Sequence, residues 1–111
     1  MQWKSSLGDI LMKMSSVDGV RYHYPIRHGS MRVGLYAPYV KDSQQPHDQD
    51  EIYIIQKGSG LFTKEGVTIP FKEGDVFFVK AGEKHLFIDF SDDFVTWVVF
   101  WGPKGGEINP Q

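Results

Sequence analysis

At 111 residues and 12.7 kDa, the chain is the size of one ordinary domain. Apolar residues make up 41% and aromatics 14%, enough bulk to fill a single core, which excludes disorder as the main state. Twelve Lys and Arg scattered among fourteen Asp and Glu leave no nucleic-acid footprint, and the lack of cysteine excludes disulfide scaffolds, thiolate metal sites and thiol nucleophiles.

The chain opens with Leu7, Ile10, Leu11 and Met14 at helical spacing, after Ser6 and with Asp9 three residues on, which predicts one short N-terminal helix. From there Gly and Pro punctuate short apolar runs, the pattern of strands joined by tight turns. Val20 to Ile26 and Met31 to Tyr36 are separated by His28-Gly29-Ser30. A polar stretch from Lys41 to Asp50 leads into Ile52-Tyr53-Ile54-Ile55, then a hairpin turn at Lys57-Gly58-Ser59-Gly60 and a strand at Leu61 to Thr63. Val67 to Phe71, Asp75 to Val79, His85 to Phe90 and Phe94 to Trp101 complete about eight strands. The expected organisation is a single all-β domain over 1–111, with its core at about 20–101 and an extended tail over 103–111.

Phe94 to Trp101 is apolar at both parities, so neither of its faces suits water. One face fills the interior. The other meets either a second subunit, making a homodimer, or the N-terminal helix and tail. The start of the chain has no apolar stretch of signal-peptide length, and no segment approaches membrane-spanning length, so the expected setting is the cytoplasm, with no membrane partner.

With cysteine absent, chemistry falls to His, Asp and Glu. Gly58-Ser59-Gly60 lies between two strands and lacks the strand-to-helix context of a phosphate loop. His23 sits beside Tyr22 and Tyr24 in an alternating strand, and His28 precedes a turn; both read as surface or turn residues. His47 lies four residues before Glu51. If that segment is extended, Gln45, His47, Gln49, Glu51 and Tyr53 share one face, a polar row pointing into an apolar fold. Burying such a row is costly without hydrogen bonds, trapped water or a cation. His47 and Glu51 offer nitrogen and oxygen donors suited to zinc, iron, nickel or manganese, and His85, at the start of a later strand, is the third candidate. Two His and one carboxylate with open positions form a competent set for catalytic zinc or non-haem iron.

The spacing of these residues resembles the two motifs of the cupin superfamily, G-x5-H-x-H-x(3,4)-E-x6-G and G-x5-P-x-G-x2-H-x3-N. His47 occupies the second histidine position of the first motif, three residues separate it from Glu51, and six residues separate Glu51 from Gly58. Gly74 is followed by five residues, then Lys80-Ala81-Gly82, two residues and His85, in register with the second motif. Gln45 stands where the first histidine would be, Lys80 where the proline would be and Asp89 where the asparagine would be. The Gln45-x-His47 pair is similar to that of the zinc-dependent phosphomannose isomerases, also cupins.

The resemblance runs from about Val33 to Phe100 and implies a two-sheet antiparallel β-barrel of jelly-roll type. It implies one divalent transition metal held by His47, Glu51 and His85, with Gln45 as a fourth ligand, or Gln49 if the strand bulges near Asp48. The partner would be a small molecule entering at the barrel mouth. Function divides between a metal-dependent enzyme on a small polar metabolite, of isomerase or dioxygenase type, and a non-catalytic module that binds a sugar or small acid. Tyr53 and Phe87, two positions beyond ligands, read as pocket lining or as core, and the acid–base candidates are Tyr53 or a carboxylate behind the ligands.

Overall fold

A computed structural model describes residues 2–108, so residues 109–111 of the expected tail lie outside the described part. The predicted helix forms as α1 (Leu7–Met12), with Ser6 at its N-cap making no side-chain capping bond. The strands are β1 (Ser15–Val17), β2 (Val20–His28), β3 (Met31–Pro38), β4 (Asp50–Lys57), β5 (Gly60–Lys64), β6 (Val67–Phe71), β7 (Val76–Val79), β8 (His85–Ile88) and β9 (Val95–Trp101). All eight predicted strands are present. The addition is β1, whose polar start carries no apolar alternation and which forms by pairing with β2.

Every pairing is antiparallel. A six-stranded sheet in the order β1-β2-β3-β9-β4-β7 faces a three-stranded sheet in the order β6-β5-β8. Period-two alternation sends Glu51, Tyr53 and Ile55 of β4 inward, beside Val98 and Phe100 of β9. From the smaller sheet come Phe62, Phe71 and Phe87. Phe62, Phe71, Phe87 and Phe94 pack with ring centroids 4.8–5.4 Å apart, in tilted and edge-to-face contacts. Each such ring contributes roughly 1.5–3 kcal/mol relative to exposure. This apolar plug meets the polar residues through Tyr53, whose ring centroid lies 4.9 Å from that of Phe87 and 5.9 Å from that of His85.

The outer face of β9 is covered in part by α1. Ile10, Leu35, Ala37 and Val95 form a second buried cluster, with Leu7, Met14 and Trp97 packed against it. One of the two covers considered for the two-faced strand is therefore present within the chain.

Two local features depart from the sequence-based expectation. The segment from 41 to 49 is not a strand, and β4 begins only at Asp50. At the other end, Lys104 and Gly105 turn instead of running extended. Gly105 N–H donates to the Asp48 carbonyl at 2.7 Å and Glu107 N–H to Asp50 Oδ2 at 2.9 Å. Asp50 Oδ1 also accepts from Ala81 N–H at 3.0 Å, so one buried carboxylate ties the tail to the turn before β8.

Candidate metal centre

Three separate segments bring the site together. Glu51 is carried inward on β4, paired with Phe100 on one side and Val79 on the other. His85 starts β8 after the turn at Ala81-Gly82. In that turn Gly82 has φ 85°, a left-handed conformation that disfavours other residues, and its N–H donates to the His47 carbonyl at 2.7 Å. The turn that delivers His85 thus also fixes the backbone of His47. Asp89, at the asparagine position of the second motif, has φ 49°, a conformation that Asp and Asn tolerate better than most residues.

His47, Glu51 and His85 each present one ligating atom, and these atoms lie within 4.8 Å of one another. Glu51 Oε1 is 4.0 Å from His47 Nε2 and 2.8 Å from His85 Nε2. Glu51 is 0% exposed, yet neither of its oxygens has a hydrogen-bond partner of acceptable geometry among the described residues. An orphaned buried carboxylate is expensive, and a cation between it and two imidazoles removes the cost. The donor chemistry therefore fits a divalent transition metal.

His85 has its tautomer set by its surroundings. Its Nδ1 lies 2.9 Å from the Glu83 carbonyl, which can only accept, so Nδ1 carries the proton and Nε2 faces the cluster. Burial pushes the His85 pKa down, but the contact with Glu51 and the bond to Glu83 outweigh it and hold the group above its ordinary value. Burial likewise pushes His47 down, against the pull of Glu51, and there the net direction is downward.

The amide in the cluster belongs to Gln44. Its Oε1 is 3.0 Å from His47 Nε2 and accepts from Tyr53 Oη at 3.0 Å. Tyr53 Oη is also 3.1 Å from His85 Nε2, and burial with the nearby Glu51 charge keeps the phenol protonated. Behind Gln44 stands Asp42, a buried carboxylate that accepts from Gln44 N–H, Gln44 Nε2, Tyr36 Oη and Phe87 N–H. Gln45 is exposed. Gln49 turns away, donating to the carbonyls of Ser30 and Gly102. The same-face row required an extended 45–49 segment. Because that segment is a loop, parity does not apply to it, and the neighbour one position earlier reaches the site instead. His23 and His28 are not among the clustered residues. Phe87 belongs to the apolar plug, whereas Tyr53 touches both the plug and the cluster.

Sequence reasoning missed Asp42 and Gln44, which fall in the unspecified x5 stretch of the first motif, and the wall of the cavity above the cluster. That cavity holds about 300 Å³ and is lined by Gln44 and His47 below and by Tyr22, Tyr24, Arg32 and Tyr36 around it. The tyrosines at 22 and 24 were legible only as alternation, since the bulge in β2 between His23 and Ile26 is what turns Tyr24.

A family model described as a Cupin domain matches residues 34–101. An uncharacterised protein of Streptomyces coelicolor is 35% identical over 100 residues, covering 88% of this chain and 94% of that one. The HTH-type transcriptional activator RhaS of Yersinia pestis is 34% identical over 67 residues, which is 60% of this chain and 24% of the activator. Among solved structures, a Cupin 2 conserved barrel domain protein from Salinispora arenicola superposes with a TM-score of 0.70 at 20% identity, over 92% of this chain and 89% of that one.

Proposed function

This chain belongs to the cupin family, and we propose that it holds one divalent transition metal through His47, Glu51 and His85 and uses it on a small polar molecule in the barrel cavity. The observation that carries this reading is Glu51, wholly buried between two imidazoles with both oxygens lacking a hydrogen-bond partner among the described residues. Gln44 replaces Gln45 as the amide nearest the set, with Oε1 turned toward His47. Bound there, zinc, iron, nickel or manganese would supply Lewis-acid polarisation of a carbonyl or hydroxyl, or in the iron case a site for redox chemistry.

The chain's own groups define what else the site can do. Tyr53 keeps its proton and places Oη against His85 Nε2 and Gln44 Oε1, so it orients both and can donate to a substrate oxygen that displaces either contact. The Phe62–Phe71–Phe87–Phe94 plug excludes water from below. Ligand entry is from the tyrosine-lined side, past His47.

Elemental analysis of protein purified without chelator tests the metal. One equivalent of a transition metal is expected in the parent. In His47→Ala and His85→Ala the content should fall by at least about tenfold with the β-sheet circular dichroism retained, because the barrel is packed without the metal. Unchanged content in both variants, or none in the parent after reconstitution, overturns the reading.

A non-catalytic binding module is the second reading, favoured by similarity to part of a transcriptional activator. Incubating metal-loaded protein with a metabolite mixture separates the two: consumption of any compound identifies an enzyme. We also propose a homodimer. With α1 over part of β9, an exposed apolar strip suited to a second copy runs over Val67, Ile69, Val76 and Phe78, on the edge strands of both sheets. Light scattering at micromolar concentration should give twice the monomer mass.

A further inference from the structure

The cavity above the metal centre contains a cation that forms no salt bridge among the described residues. Arg32, half-buried on β3, lies with its guanidinium carbon 4.4 Å from the centre of the Phe100 ring and 5.6 Å from that of Tyr24. Among the described residues it makes no salt bridge and no side-chain hydrogen bond; the other ion pairs join Lys64 to Glu83 and the histidines to Glu51. Two aromatic rings hold the guanidinium in place while leaving its N–H donors free, which is an arrangement for receiving an anion rather than for stabilising the fold.

The same Phe100 ring also touches the metal centre. His47 meets it edge-on at 5.1 Å between centroids, so Arg32 and His47 flank a single ring and look into one cavity. Tyr22 and Tyr24 stack at 5.7 Å to form an adjoining wall, and burial keeps the Tyr24 phenol protonated as a donor. We propose that the cavity takes a small carboxylate, its carboxylate paired with Arg32 and its other polar end turned toward His47 and the cluster.

A carboxylate suits the site better than a phosphate. Arg32 is the one cationic side chain among the lining residues, no lysine joins it, and Asp18 places a negative charge on the same cavity. A single guanidinium offers a bidentate match to a monoanionic carboxylate, whereas a dianion beside Asp18 would be under-neutralised. The volume of about 300 Å³ limits the ligand to a small acid. This proposal rests on the metal-centre reading for the second polar end of the ligand, but not for the contact with Arg32.

Lactate, lactamide and inorganic phosphate are suitable probes, titrated into the full chain by calorimetry in zinc-loaded and in chelator-treated form. Lactate, a monoanion whose hydroxyl supplies the second polar end, should bind both forms, at least about tenfold more tightly than lactamide or phosphate. Arg32→Gln should weaken lactate by at least about tenfold in the chelator-treated form while leaving zinc content unchanged, and Arg32→Lys, which keeps the charge and loses the fork, should fall between. In the parent, lactate should shift the nuclear magnetic resonance signals of Arg32, Tyr24 and Phe100, a result that does not depend on any variant folding. Equal affinity for lactamide, tighter binding of phosphate, unchanged affinity in Arg32→Gln, shifts confined to other surfaces, or no lactate binding overturns the carboxylate site. Failure to retain zinc while Arg32-dependent lactate binding persists instead overturns the metal reading alone.

Discussion

Gln44 donates through Nε2 to Asp42 Oδ2 at 2.6 Å, and that bond settles which end of its amide faces the histidines. A carboxylate only accepts, so the NH₂ end must point to Asp42 and the oxygen to His47 and Tyr53. Asp42 in turn is fixed from β8 by Phe87 N–H and from β3 by Tyr36 Oη. A loop residue therefore owes its orientation to a carboxylate anchored on both sheets.

Asp42→Asn removes the buried charge and puts a donor where four donors converge. The expected cost is about 3 kcal/mol in urea unfolding of the metal-free protein, since charge-assisted hydrogen bonds are lost and one N–H is left unpaired. The amide of Gln44 is no longer held in one orientation, so zinc affinity should fall as well, by about tenfold or more. A variant as stable as the parent would show that Asp42 is not the anchor.

Glu51→Gln should separate function from stability. In chelator-treated protein at a pH above the elevated His85 value, where the imidazole 2.8 Å from Glu51 is neutral and no longer offsets its charge, the substitution should leave the melting temperature equal to or above that of the parent. Zinc content should nevertheless fall by at least about tenfold. Destabilisation of the metal-free protein, measured by calorimetry, would mean that Glu51 holds the barrel together.

Gly34 lies opposite the bulge at Tyr24 and Pro25, where a Cβ would collide with the His23 carbonyl oxygen and the Tyr24 backbone. The β2 backbone, held in its own pairing with β3, cannot give way cheaply. Gly34→Ala should therefore cost at least about 2 kcal/mol in chemical denaturation, with the tyrosine wall of the cavity displaced.

The two histidines respond to pH with opposite signs. In metal-free protein His85 is held above its ordinary 6.5, so its contribution to stability is complete below pH 6.5 and is lost as pH rises through its elevated folded value. His47 is held below 6.5, so its contribution is present above that pH and is lost as pH falls through its lowered folded value. A metal needs both ligating nitrogens free of protons. Zinc affinity should thus keep rising beyond pH 6.5 until His85 has deprotonated, while His47 is already neutral. Calorimetric titration from about pH 5.5 to about pH 8, in two buffers of different ionisation enthalpy, should show proton release on binding; an affinity that does not vary with pH would contradict this.

Strand periods and turn residues are local properties, and they were enough to read the strands and the short helix from sequence, whereas the two-sheet barrel and the grouping of His47, Glu51 and His85 came from the resemblance to the cupin motifs. Glu51 was legible because it lies on a strand, where alternation assigns a face. His85 was legible because a Gly-containing turn sits at a fixed distance before it. Gln44 and Gln45 could not be distinguished in this way, because they lie in a loop whose path is set by bonds from distant residues: Gly82 to His47, Gly105 to Asp48 and Phe87 to Asp42. The sequence also left open what covers the outer face of β9. Only the docking of Ile10 beside Leu35 and Val95 placed α1 there. The cavity wall was decided last of all, since Arg32, Tyr24 and Phe100 meet only when β2, β3 and β9 are in register and β2 is bulged against Gly34.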